Sequence, residues 1–513
     1  MNSLIKSLLS VMKKYLIFLF VNFIFIILIQ RECHSDCSDS TVGFTPINDL
    51  GSGYFRGFQG GLYPGGLNIR PYIHNTDGKN IANNIVPLDT AGNYDPLNGK
   101  IVLMSVGMSN TGIEFLDFMN YVSASTNINP KLVIVNGAQG GKDINDLVNP
   151  LDSFWIVLVQ RLAIKGVTPK QVQAVWYKEA EAGPTDTNFV SYSNGLKAKY
   201  KTVMNILKTN YQNVKLCYCT SRIYAGYATT PTNPEPFAYY NGWTVKWLIE
   251  DQINGDLSID YKGASPNSPW IAWGPYVWAD GVNHRIDGLN WICSDFVSSD
   301  RTHPDTSGFK KVALRLFNFF SADATTKPWF LKNLNINLTF AMQAMLNIPS
   351  NNMSKTDSVS VYLRQTVSPY NIIDFSKGVI DSSTLKGVFK FYTMQSGRYY
   401  LQVIHRNTIE TWSRSGGENL LFGSYYNYDF TQNINRAYGS NLILKGSKYC
   451  AYSGDTNQDD IIDASDVSEI ENDAANSLSG YVSSDITGDD FVDGSDVSSV
   501  ENNSALGVIV ATP

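Results

Sequence analysis

Two acidic segments of twelve residues, 455–466 (loop one) and 485–496 (loop two), lie near the C-terminus and begin thirty residues apart. In each loop, oxygen-bearing side chains stand at positions 1, 3, 5, 9 and 12, and position 7 offers a backbone carbonyl. A hard divalent cation such as calcium needs oxygen ligands at this spacing. A disordered acidic tail is the alternative, but such a tail has no reason to repeat its spacing. The predicted calcium ligands are Asp455, Asn457, Asp459, Ile461 (carbonyl), Asp463 and Asp466 in loop one, and Asp485, Thr487, Asp489, Phe491 (carbonyl), Asp493 and Asp496 in loop two.

Both loops depart from the EF-hand pattern in the same two places. Position 12 is Asp rather than Glu, and position 6 is Asp460 or Asp490 rather than Gly. Asp tolerates the left-handed conformation better than most residues, so the turn at position 6 is still expected, at some cost. Helices are predicted only after the loops, over 467–472 and 497–503. With Asp at position 12 and a single helix after each loop, the region resembles a type I dockerin. The resemblance implies a small all-α module over 450–513, two structural calcium ions and a cohesin-like protein partner.

The charge distribution supports a role for calcium. Residues 450–513 hold fourteen Asp plus Glu and no Lys, Arg or His, so the rest of the chain has 46 − 14 = 32 acids against 40 bases, a net charge of +8. A module with acids alone repels itself, and calcium is therefore predicted to be part of its fold. The surplus of eight positive charges over the remaining chain is too dilute to predict nucleic-acid binding.

The N-terminus predicts export. The basic pair Lys13-Lys14 precedes an apolar run at 15–29, which has the length of a signal-peptide core and is short for a membrane span. A signal peptide is predicted over 1–32, with an uncleaved anchor as the alternative. After cleavage no transmembrane segment would remain, and the protein would be secreted or held at the cell surface.

Six cysteines are compatible with export. Cys33 and Cys37 could pair, whereas Cys217 and Cys219 fall on one face of a predicted strand and are expected to be core thiols. The sequence does not fix the pairing.

Near-continuous apolar runs alternate with amphipathic stretches between residues 98 and 322, which is typical of buried parallel strands joined by helices. We predict a three-layer α/β domain with a parallel sheet, spanning 40–330, whose chemistry lies at the carboxyl ends of the strands. The segment 51–98, rich in Gly, Asn and Pro, is predicted to form long loops. The predicted strands are 100–107, 131–137, 171–178, 214–221 and 270–278, and the predicted helices are 112–125, 152–165, 194–211, 242–253 and 307–320.

Short alternating segments follow, and they predict a β-sandwich over 331–449. Its one polar cluster, His405-Arg406-Asn407, is assigned to a sheet edge or loop rather than to a site. The predicted strands are 335–340, 358–363, 387–392, 399–405 and 441–444.

Three residues could perform chemistry together. Ser109 follows the first predicted strand at a turn into a helix, where a hydroxyl is exposed and amides face a developing oxyanion. Asp300 and His303 stand three residues apart before the last helix, so both could reach one serine from a single loop, with His303 as base and Asp300 as its orienter. A simple helix cap is the alternative role for His303.

Residues 101–320 resemble an SGNH (GDSL-type) hydrolase on these motifs. The resemblance implies that Ser109 is the nucleophile, that Asp300 and His303 complete the triad, and that Gly137 donates its amide to the oxyanion hole. Two positions depart from the family: Met108 replaces an Asp, and the block that normally supplies an oxyanion Asn has Lys178-Glu179. Lys178, Gln139 or Asn110 could donate to the oxyanion instead, or Lys178 could simply pair with Glu179.

The sequence is compatible with two functions. The first is a secreted serine ester hydrolase that acts on an acyl-ester substrate, expected from the resemblance to be an acylated carbohydrate, needs no cofactor for catalysis and is attached to a cohesin-type partner. The second is a non-catalytic carbohydrate-binding or adhesive surface protein built on the same scaffold. The second function would use exposed aromatic side chains in loops near the active face, and packing of these rings between loops is the alternative. The residues are Tyr224, Tyr227, Phe237, Tyr239 and Tyr240.

Overall fold

The computed structural model describes residues 38–513. The predicted signal peptide, Cys33 and Cys37 therefore lie outside the described residues. The chain divides into two compact units; within the described part, the first holds 38–124 and 133–325, and the second holds 125–132 and 326–513. No helix in the described range is long and apolar enough to cross a membrane.

A five-stranded sheet in the order β4-β3-β5-β6-β7 forms the centre of the first unit, and the pairs β3–β5, β5–β6 and β6–β7 are parallel. Its central strands are buried along their whole length, which explains their continuous apolar sequence. The predicted parallel α/β class is thus confirmed. The strands of this unit are β1 (Tyr54–Phe55), β2 (Phe58–Gln59), β3 (Ile101–Gly107), β4 (Leu132–Asn136), β5 (Val172–Lys178), β6 (Leu216–Cys219) and β7 (Trp270–Trp273).

Helices connect these strands, and all five predicted helices are present with shifted ends. The helices of the first unit are α1 (Ile47–Leu50), α2 (Tyr72–Asn83), α3 (Ser109–Ala124), α4 (Ile144–Leu147), α5 (Ser153–Ile164), α6 (Phe189–Asn210), α7 (Phe237–Ile253) and α8 (Thr306–Ala322). The prediction of loops throughout 51–98 was wrong, because α2 lies within that segment. Gly78 in the middle of α2 hides the helical pattern, and its lack of a side chain is needed because a Cβ there would lie 2.3 Å from the Trp270 ring.

Two antiparallel-rich sheets share one core in the second unit. One has the order β10-β9-β12-β13 with β14 paired to β12; the other has the order β11-β8-β15, in which β15 runs parallel to β8. Strand β9 alternates buried and partly buried residues, as expected where one face covers a core. The strands are β8 (Leu334–Thr339), β9 (Asp357–Gln365), β10 (Ile372–Ile380), β11 (Lys386–Phe391), β12 (Gly397–His405), β13 (Thr408–Trp412), β14 (Glu418–Leu420), β15 (Tyr425–Asp429), β16 (Ile443–Lys445) and β17 (Lys448–Cys450), preceded by α9 (Lys327–Phe330).

The second unit also includes a short segment from earlier in the chain. Residues 125–132 leave α3 and return to β4, yet they belong to this unit. The Asn129 side chain donates to the Trp329 carbonyl at 2.9 Å, and the amide of Lys332 donates to the Asn127 carbonyl at 2.9 Å. The second unit is therefore discontinuous in sequence.

One helix begins at position 10 of each acidic loop, three residues earlier than predicted: α10 (Ala464–Ala475) and α11 (Gly494–Ala505). Position 9 of each loop, Asp463 or Asp493, caps the helix, and position 12 closes a capping box. Ile462, Val492 and helix residues form a small core together with Ile409 from β13. The core of this region is thus completed by the β-sandwich.

Candidate active site

Ser109 begins α3, two residues after β3 ends. Gly107 makes this tight turn possible, because a Cβ at that position would lie 2.1 Å from the Lys178 carbonyl oxygen. The Thr111 hydroxyl, in the first turn of α3, donates to the same carbonyl at 2.5 Å. The nucleophile turn is therefore fixed directly against the carboxyl end of β5.

The three predicted catalytic residues meet in a continuous hydrogen-bonded chain. The Ser109 Oγ lies 2.8 Å from His303 Nε2, and His303 Nδ1 lies 2.7 Å from Asp300 Oδ2. The His303 and Asp300 side chains are about one-third and one-quarter exposed, at 33% and 25%. This arrangement can remove a proton from the serine and keep the resulting imidazolium beside a carboxylate.

Asp300 is held as a carboxylate. Its Oδ1 accepts hydrogen bonds from the amides of Thr302 at 2.8 Å and His303 at 3.0 Å. Burial raises the pKa of Asp300, but these amides and the His303 ring outweigh burial, and the net pKa lies below its usual value. The loop thus presents a charged, oriented acceptor to the histidine.

Three residues predicted as oxyanion donors make other contacts. The Asn110 amide group donates to the Thr302 carbonyl at 3.1 Å and so braces the loop that carries His303. The Gln139 side chain donates to the Phe154 carbonyl at 2.8 Å. The backbone amide of Gly137 donates to the Ser105 hydroxyl at 3.1 Å.

Gly140 lies beside the nucleophile. A Cβ on Gly140 would stand 3.8 Å from that of Ser109, whereas a Cβ on Gly137 would collide with Leu158 at 2.0 Å. Gly137 therefore serves packing, and Gly140 is the exposed glycine beside the serine. The family motif pointed to Gly137 alone, and Gly140 becomes visible only in the fold.

Lys178 is paired with Glu114 rather than with Glu179. Its side chain is 1% exposed, and its Nζ lies 2.5 Å from both carboxylate oxygens of Glu114 in α3. Burial lowers the pKa of Lys178 to about 8, against the opposing effect of Glu114. Glu179 instead accepts from the Ala180 amide at 2.9 Å, and burial raises its pKa well above the usual value.

Sequence analysis missed two buried charges beside this turn, Glu114 and Arg222. Arg222, just after β6, lies with its Nη1 3.6 Å from the Met108 sulfur and is 1% exposed. A single acid in the apolar face of α3 was the available signal for Glu114. No sequence spacing links Arg222 to the turn.

The aromatic residues considered for sugar stacking are buried, which agrees with the packing alternative and not with exposed rings. Tyr224 and Tyr239 are fully buried, and Phe237, Tyr239 and Tyr240 belong to α7 rather than to loops. They pack with other rings inside the first unit, for example Tyr239 with Trp278 at 4.6 Å between ring centroids. The main support for a stacking surface on this unit is therefore removed.

The acidic loops have the backbone shape that the spacing predicts. Position 6 is left-handed in both, with φ of 72° at Asp460 and 71° at Asp490. Position 1 is buried and accepts the amide of position 5 at 3.1 Å in each loop. Within 38–513, no three His, Cys, Asp or Glu side chains already converge as a metal site.

The donor set nevertheless fits a calcium ion. The ligand positions carry oxygen atoms, as a hard cation requires, and the buried Thr487 hydroxyl at position 3 of loop two has no hydrogen-bond partner. An ion in loop two would give that oxygen a partner. The twelve predicted ligands remain predictions.

No protein-family model matches the chain, and no curated protein matches it. A carbohydrate esterase family 3 structure from Talaromyces cellulolyticus is 12% identical over 42% of this chain and 94% of its own, with a TM-score of 0.24. An acetyl esterase mutant with an acetate ion is 13% identical over 42% and 94%, with a TM-score of 0.23. An interface mutant of a type II Cohesin-X-Dockerin complex from Acetivibrio cellulolyticus is 14% identical over 33% and 94%, with a TM-score of 0.21. Similarities this weak do not support transfer of function.

Proposed function

We propose that this protein is a secreted serine ester hydrolase that acts on acylated carbohydrate. The observation that carries the proposal is the chain of hydrogen bonds from Ser109 through His303 to Asp300, at 2.8 and 2.7 Å. It occurs at the carboxyl end of a parallel sheet, where α/β enzymes place their chemistry. The ester class and the carbohydrate come from the resemblance to SGNH hydrolases.

The proposed reaction follows the serine triad scheme. His303 Nε2 takes the Ser109 proton as Oγ attacks the acyl carbon, and Asp300 stabilises the imidazolium. The carbonyl becomes an oxyanion, for which we assign the backbone amides of Ser109 and Gly140 as donors. His303 then returns the proton to the departing alcohol oxygen. Water, deprotonated by His303, then attacks the acyl carbon, the bond to Ser109 Oγ breaks, and His303 returns the proton to Oγ as the acid leaves.

The C-terminal region is assigned a docking role. We propose that loop one and loop two each bind one structural calcium ion through the twelve predicted ligands, and that the module binds a cohesin-type partner. When bound, calcium supplies the positive charge that 450–513 lacks. Catalysis in this scheme uses no cofactor.

A fluorophosphonate probe tests the nucleophile directly. We expect the wild-type protein to be labelled, Ser109→Ala to lose the label, and the matched control Ser123→Ala, on the exposed face of the same helix, to keep it. Release of acetate from acetylated oligosaccharides should follow the same order. Labelling that survives in Ser109→Ala, or a wild type inert to the probe and to every ester, would overturn the enzyme assignment.

A further inference from the structure

The two acidic loops carry the same number of aspartates but lie in different electrostatic surroundings. Each has five Asp, and the whole of 450–513 contains no base that could neutralise them. Any side-chain cation near either loop must therefore come from outside 450–513. Among residues 38–513, ion pairs of this kind reach loop two and none reaches a carboxylate of loop one.

Lys355, just before β9, is the first of these cations. Its Nζ pairs with the Asp490 carboxylate at position 6 and lies 3.8 Å from Asp485 Oδ2 at position 1. The preceding residue, Ser354, donates its hydroxyl to the Thr487 carbonyl. The turn before β9 thus lies directly against the first half of loop two.

Arg406, between β12 and β13, is the second. Its Nη2 lies 3.7 Å from Asp485 Oδ2, and its Nε lies 3.2 Å from Asp357 Oδ2. Its guanidinium stands 4.6 Å from the centre of the Tyr481 ring and also donates to the Val482 carbonyl. These contacts hold Arg406 against the entry of loop two.

Both cations meet at Asp485, the first ligand position. Asp485 is fully buried, so its interaction with two positive charges is screened less than it would be at the surface. A calcium ion in loop two must share this carboxylate with Lys355 and Arg406 and is repelled by both. A calcium ion in loop one meets no comparable pair.

We propose that the β-sandwich sets the calcium affinity of loop two through Lys355 and Arg406, so that loop two binds calcium more weakly than loop one. This inference rests on the proposed calcium role of the loops. By thermodynamic linkage, calcium in loop two also weakens the contacts of the two cations with the loop. Loop one is then the permanently filled site, and loop two is the site whose filling depends on calcium concentration.

Calorimetric titration of calcium into the chelator-stripped full chain tests the proposal. The variant Asp455→Ala disables loop one and leaves loop two to be measured alone; Asp485→Ala does the reverse. In the Asp455→Ala background we expect Lys355→Gln to tighten calcium binding by about tenfold, from loss of one charge close to the ligand. In the Asp485→Ala background the same change should leave Kd within about twofold.

Arg398→Gln is the matched control. Arg398 is an exposed base at the other end of β12, eight residues before Arg406 and therefore roughly 25 Å from it. Arg398→Gln should leave the calcium affinities of both loops unchanged. Arg406→Gln should tighten calcium binding to loop two, as Lys355→Gln does. If Arg406→Gln fails to fold because its contact with Val482 is lost, Lys355→Gln decides alone, since Lys355 is partly exposed.

The outcomes separate the two proposals. Equal affinities of the two loops, or Lys355→Gln that leaves loop two unchanged or weaker, would overturn the inference while the calcium role stands. A wild-type chain that takes up no calcium would overturn the calcium role and this inference together, without touching the esterase assignment.

Discussion

The α/β unit and the acidic C-terminal region handle charge in opposite ways. In the α/β unit, Lys178 is paired with Glu114, and His303 with Asp300, inside the same unit. In 450–513 there are fourteen acids and no base, so compensation must come from outside the region. The charges of the candidate active site are therefore compensated within its own unit, whereas we expect the fold of the C-terminal region to depend on calcium in solution.

The largest predicted effect is the loss of kcat in His303→Ala, and it tests whether the candidate active site works independently of calcium. This substitution should lower kcat for 4-nitrophenyl acetate by about 10⁴-fold or more, because the members of a triad act as a unit. The loss should be equal in calcium and in chelator, since the triad's charges are compensated locally. His284→Ala, which removes an exposed histidine, should change nothing. A wild-type rate that depends on calcium would contradict the independence of the active site from the acidic region.

Calcium removal should act on the other region. At free calcium 100-fold above Kd, two sites stabilise the acidic region by about 5 kcal/mol, and chelation should remove this. In scanning calorimetry of the full chain, we expect chelator to move the unfolding transition of the acidic region to lower temperature. The main unfolding transition should keep its temperature. Asp455→Ala and Asp485→Ala should each remove about one bound ion. A scan unaffected by chelator would contradict the prediction.

Lys178→Ala should destabilise the α/β unit by at least about 3 kcal/mol, because it leaves the buried Glu114 carboxylate without its partner. The folded fraction should keep kcat within severalfold. Combining Lys178→Met with Glu114→Leu should recover most of the stability, as measured by urea unfolding. A hundredfold loss of kcat at unchanged stability would instead establish Lys178 as an oxyanion donor.

The smallest effect concerns pH. The folded-state pKa of Asp300 lies below its unfolded value, so its stabilising contribution is present above about pH 4 and is lost as pH falls through the lowered pKa. Asp300→Asn should therefore be less stable than wild type at pH 7, by under about 1 kcal/mol because Asp300 is partly solvated, with the gap closing as pH falls through the lowered pKa. A gap that widens in acid would reverse the assigned sign.

Local patterns predicted much of this molecule. Continuous apolar runs located β3 and β5 because both are buried along their length, and loop periodicity located α10 and α11. Strand β10 was missed because both its faces contain exposed or polar residues, including Phe375 at 61% exposure. A strand so weakly buried has little alternation to detect.

In the candidate site, too, features set by local sequence could be predicted and features set by long-range contacts could not. The Asp300–His303 spacing is local and could be predicted, as could Ser109 at a strand end. The partner of Lys178 could not, because Glu114 lies 64 residues away and was brought there by the register of the sheet. Gly140 and Gly137 differ only in what surrounds them after folding.

The discontinuous second unit has a consequence for synthesis. Residues 125–132 emerge from the ribosome roughly 200 residues before residues 326–332. Asn127 and Asn129 form their hydrogen bonds with that later segment. At ordinary translation rates the earlier segment waits on the order of 10–40 s for its partner. A gene shortened to end at residue 325 would leave that segment without its partner permanently, so boundaries for separate expression should not be placed between the two units.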